Sequence, residues 1–119
     1  MKSSTIEHDL ERLESAFDDS KYTLTRAIQR AWLIAARRLL SSGKSNRPNV
    51  DLLLDQLKVV RRAQAALEVA QWDVNTADDA PKDVRLKLKE ILLEANIKHQ
   101  QELTKMSILL ADFFAKAEE

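Results

Sequence analysis

The chain has 119 residues, of which 45% are apolar and 32% charged, with 19 basic side chains against 19 acidic and no cysteine. That composition describes one ordered domain large enough to bury a core without staples. It excludes disulfides, thiolate metal sites and cysteine nucleophiles. Aromatics make up only 5%, so aliphatic side chains must form most of the core.

Gly43, Pro48 and Pro81 divide the sequence into three stretches that otherwise read as helix. The reading is an all-α, antiparallel up-down-up three-helix bundle. It forms a single domain over 1–119, with helices at about 4–42, 48–76 and 80–118. Ser4-Thr5-Ile6-Glu7 fits a capping box at the first start. Ile6, Leu10, Leu13, Phe17, Leu24, Ile28, Ala31 and Ala35 then follow at helical spacings. Gly43 suits a left-handed C-cap. An alternative breaks this helix at Asp18-Asp19-Ser20, which is good cap chemistry and poor helix-interior chemistry, so that 4–17 folds back as a fourth helix.

The second helix takes Pro48 in its first turn, with Asn46 or Arg47 as cap. Its apolar face runs through Val50, Leu53, Leu54, Leu57, Val60, Leu67 and Val74, and it frays near Asn75 and Thr76. The third is capped by Asp78 or Asp79, with Pro81 just inside. Its face includes Val84, Leu88, Ile91, Leu92, Ala95, His99, Leu103, Met106, Leu110 and Phe113. Helices one and three exceed helix two by about ten residues each. The three-helix reading therefore predicts overhangs near 4–14 and 109–119.

Two segments carry more apolar surface than one packing stripe uses. One is Ala31–Ala36 with Leu39 and Leu40. The other is Ile108–Ala111 with Phe113 and Phe114. Both fall at one end of the bundle. Trp32, Leu33, Ile34, Leu39, Leu40, Leu109, Phe113 and Phe114 are the expected partner interface, with Trp32 and a Phe as anchors. The expected partner is a protein, first a second copy in a homodimer and then a client helix. The expected function is a protein–protein interaction module, an adaptor, chaperone or regulatory partner.

Charge is segregated. Between Ser20 and Val50 there are seven basic residues and no acid. Arg26, Arg30, Arg37, Arg38, Arg47, Arg61 and Arg62 form the candidate basic patch, which would steer an acidic partner. The alternative function is nucleic-acid or polyanion binding through 21–62. A pI near 6.7, with no interleaved aromatic besides Tyr22 and Trp32, weighs against it.

Only His8 and His99 offer imidazoles. His99 sits on the apolar stripe and Glu102 lies one turn on. A small helical enzyme would centre on this pair. No Glu-x-x-His metal pattern, phosphate loop or nucleophile elbow accompanies them. No catalytic, cofactor or metal site is therefore expected. The first residues have no apolar h-region, and no stretch approaches the ~18 apolar residues of a membrane span. A cytoplasmic chain is expected, without membrane contact. In size, helicity and apolar excess it looks like small helical secretion and flagellar export chaperones, and like phage and plasmid accessory proteins. No motif matches those families residue by residue, and no functional position is carried over from them.

Overall fold

The computed structural model describes residues 6–42 and 49–118. Among them there are four helices and no strand: α1 (Ile6–Ser20), α2 (Arg26–Ser42), α3 (Val50–Asn75) and α4 (Lys82–Glu118). The all-helical reading stands and the count of three is corrected. The predicted first helix is two helices, joined through residues 21–25. The break falls just after the Asp18–Ser20 triplet, which itself completes α1.

Local hydrogen bonds explain the break. Ser20 C=O accepts from both the backbone N–H (2.9 Å) and the hydroxyl (2.8 Å) of Thr23, closing a turn. Thr25 then caps α2, its Oγ1 accepting from Ile28 N–H at 3.2 Å. The Gln29 amide reaches back to donate to Lys21 C=O at 2.6 Å and Leu24 C=O at 2.9 Å. Carbonyls left over by the broken helix thus find side-chain partners.

The caps of the later helices also differ from expectation. Asn49 is the N-cap of α3, its Oδ1 accepting from Asp51 N–H at 2.9 Å. Asparagine is among the strongest N-caps. Pro81 supplies the first carbonyl of α4, to Arg85 N–H at 3.0 Å, which leaves Asp78 and Asp79 in the preceding turn. Thr76 ends α3 as predicted, its hydroxyl donating to Trp72 C=O. The Ser4 capping box, the Gly43 cap and the Asn46–Pro48 segment lie outside the described residues.

α1 packs on α2 and α3, and α4 packs on α2 and α3, with no packing across the α1–α4 or α2–α3 diagonals among the described residues. The helices therefore stand at the corners of a square. One core fills it, made of Leu13, Leu24, Ile28, Trp32, Ala35, Leu39, Val50, Leu53, Leu57, Val60, Leu103, Met106, Leu110 and Phe113. Trp32 Nε1 donates to Leu13 C=O at 2.8 Å, which ties α2 to α1 and satisfies the one polar atom of the largest core side chain. Arg12 links α1 to the first turn of α3 through Asp51, and also reaches Asp9 at 3.4 Å. The Asp51 hydrogen bond, with the charges of both carboxylates, raises the Arg12 pKa.

α1 and α2 have 15 and 17 residues, so each spans ~25 Å, whereas the 37 residues of α4 span ~55 Å. The shorter helices run out first. Residues 64–75 of α3 and 82–98 of α4 continue alone as a two-helix arm, and the molecule measures 61 × 23 × 21 Å. The overhangs predicted at opposite ends of the bundle, 4–14 and 109–119, are thus replaced by one arm at the end where α3 turns into α4.

Candidate functional site

The expected interface divides in two. Trp32, Leu39 and Phe113 belong to the chain's own core, and Leu109 and Phe114 are half-buried against it. The Arg38 guanidinium lies 5.9 Å from the Phe114 ring centroid, so the ends of α2 and α4 do converge as predicted. Leu33, Ile34 and Leu40 are exposed on α2. Trp32 is taken up in part by α1, through Leu13 C=O, a neighbour that a three-helix arrangement does not supply.

The basic residues do not form one surface. Arg26, Arg30 and Arg37 are exposed on α2, with Arg38 half-buried beside them, while Arg61 and Arg62 are exposed on α3. These two helices are diagonal, so their outer faces point to opposite sides of the bundle. Arg47 lies outside the described residues.

His99 and Glu102 are both buried where the arm meets the four-helix region. They do not pair with each other. Glu102 accepts from Lys98 Nζ at 2.8 Å, from Gln56 Nε2 at 2.9 Å and from Lys105 Nζ at 3.5 Å. The Lys98 bond, then the Gln56 bond, hold its carboxyl down at about 2 against the opposing effect of burial. Gln56 Nε2 also donates to Glu102 C=O at 3.0 Å. Both His99 ring nitrogens lack a hydrogen-bond partner. Glu102 thus ties α4 to Gln56 of α3, a structural junction. His8 is exposed on α1. Among the described residues no cluster of His, Asp or Glu could hold a metal ion, and no helix is long and apolar enough to cross a membrane.

The feature that sequence reasoning missed is the arm. Of the thirteen large hydrophobic residues exposed among the described residues, seven lie on it: Val69, Trp72, Val84, Leu86, Ile91, Leu93 and Ile97. Trp72 is 67% exposed and Leu93 60%, although each is large enough to anchor an interface. Between the two helices runs a groove lined by Gln64, Leu67, Glu68, Gln71, Lys89, Leu92, Leu93 and Asn96. Leu67 and Leu92, which close the α3–α4 contact, stay half-buried there. A sequence signal existed: Leu86, Leu93 and Ile97 fall on the side of α4 opposite the Leu88–Leu92–Ala95 stripe, so α4 is apolar on two sides.

Comparison with known proteins returns no match, whether with family models, with curated proteins or with solved structures. Function has to be argued from these surfaces.

Proposed function

We propose that this chain is a protein–protein interaction module that acts by packing helix on helix, with the arm as its docking element. The observation that carries this reading is the concentration of exposed aliphatic and aromatic side chains on the arm. The four-helix region anchors the arm, and the arm offers apolar helix faces to a helical protein surface. A second copy is the first partner, and a client helix is the wider one. The module serves as an adaptor, chaperone or regulatory subunit in the cytoplasm, not as an enzyme.

The test compares the wild-type chain with a Trp72→Gln/Leu93→Gln/Ile97→Gln variant whose helicity and melting are intact. Association is measured by light scattering over a concentration series and by pull-down from native extract. Loss of self-association, or of a specific retained protein, in the variant supports the reading. A wild-type chain that stays monomeric and retains nothing that the variant loses would sink it.

A further inference from the structure

The outer face of α3 in the arm carries a second helical pattern, distinct from the stripe that packs on α4. Arg62, Ala65, Val69 and Trp72 are spaced three, four and three residues apart, the seam spacing of a coiled coil. All four are exposed, Val69 at 61% and Trp72 at 67%. The α4-facing stripe, which includes the buried Ala70, lies on the far side of the helix.

Charge is distributed along this seam in a way that suits one occupant. Arg61 and Arg62 stand at its bundle end and Asp73 at its outer end. None of the three has an ion-pair partner among the described residues. A second copy running parallel would set Arg62 against Arg62 and Asp73 against Asp73. A second copy running antiparallel, about a two-fold axis level with Leu67, sets Ala65 of each chain opposite Val69 of the other. The same axis brings Arg62 beside Asp73 of the second copy and Arg61 beside its Trp72. Each ion pair and each cation–π contact then occurs twice. The small side chain of Ala65 lets the helices approach to the ~8 Å of a close pair.

Resting on the docking reading above, we infer that the outer face of α3 is a homodimer seam, in which two arms pack antiparallel through Arg61, Arg62, Ala65, Val69, Trp72 and Asp73. The partner is a second copy of this chain, and polarity is set by charge. Antiparallel packing turns the two four-helix regions to opposite ends of the assembly.

Sedimentation equilibrium on the full chain tests the seam. The expected wild-type mass approaches twice 13.6 kDa as concentration rises. Arg62→Asp alone and Asp73→Arg alone should each weaken the dimer by about tenfold, because attraction becomes repulsion at two equivalent contacts. Combining both changes in one chain should restore the dimer to within about threefold of wild type, since the swapped pairs are again opposite in charge. The chain has no native cysteine, so engineered thiols report register cleanly. Mixed Ala65→Cys and Val69→Cys chains should cross-link to each other with a short bis-maleimide faster than either does with itself.

A wild-type monomer at all concentrations overturns the seam and leaves the docking reading to a different protein partner. A dimer that ignores both charge reversals, or in which Ala65→Cys chains cross-link preferentially to themselves, also overturns it. A dimer broken by Leu93→Gln but not by Val69→Gln would overturn the seam while supporting the docking reading.

Discussion

One apolar stripe runs the length of α4, yet its two halves meet different surroundings. In the four-helix region Leu103, Met106, Leu110 and Phe113 are buried, with exposures of 5% or less. On the arm Leu88 and Leu92 continue the same stripe and are only half-buried. α3 behaves alike, with Leu57 and Val60 buried and Leu67 and Val74, which continue their stripe onto the arm, only half-buried. The side chains are of one kind, and what changes is the number of neighbouring helices. A helix with two packed neighbours buries a wide face, whereas a helix with one buries a narrow stripe and leaves its flanks wet.

The sharpest way to break this comparison is to damage the four-helix region. Trp32→Ala removes a fully enclosed ring and the Leu13 hydrogen bond. It should cost ~3–5 kcal/mol, a large share of the stability of a domain this size. Thermal melting followed by circular dichroism should show a fall well beyond 10 °C. For that reason Trp32 is a poor probe of association, since losing it confounds folding with binding.

Next in size is the junction. Glu102→Gln keeps a side chain of similar shape for Gln56 but removes the charge that Lys98 and Lys105 complement. A loss of ~1–3 kcal/mol is expected near pH 7. The dependence on pH has a definite sign. The folded-state pKa of Glu102 lies near 2, below its ordinary value of 4.5. Its contribution is therefore complete above ~5 and fades as pH falls from there toward 2. Denaturant titrations across that range should show wild type and Glu102→Gln converging at the acid end. A constant difference down to pH 2 would mean that the charge contributes nothing.

A smaller effect is expected at the break between α1 and α2. Thr25→Ala deletes the α2 cap, and ~1 kcal/mol of stability should go with it in urea unfolding. The smallest effect sharpens the contrast best. Leu93→Gln on the outer arm should change the stability of the isolated chain by ~0.5 kcal/mol or less, because the leucine is already in water. Amide exchange should run faster along 64–98 than through the four-helix core, since fewer buried contacts hold the arm closed.

Much of this architecture was legible in the residues. α3 and α4 begin and end within about two residues of the boundaries read from Pro48, Asn75 and Pro81, as capping chemistry allows. The break after Ser20 was harder to see. Phe17, Leu24 and Ile28 keep helical spacing across it, and Lys21-Tyr22-Thr23 contains no glycine or proline. Asp18-Asp19-Ser20 marked it as the alternative with a fourth helix, and the contacts that fix it come from Thr25 and the Gln29 amide, whose acceptors are known only once the turn exists. Misjudging that break displaced the interface. A wheel can count apolar residues around Trp32 or Phe113, but it cannot count helices. The arm's exposure was hidden for the same reason, because nothing local to Val69 or Leu93 tells how far α1 and α2 extend.

Glu102 has a further consequence for the α3–α4 pair. Two long helices packed on aliphatic side chains can slide past one another in steps of a turn, each step trading one Leu contact for another of similar worth. A carboxylate enclosed at one point along that track ends the degeneracy. A slip of one turn, ~5.4 Å, would carry Glu102 away from Gln56 and leave a buried charge short of a donor. The residue works as an index mark on a sliding scale: it fixes how far the arm reaches beyond the bundle, and so which residues stand at its tip.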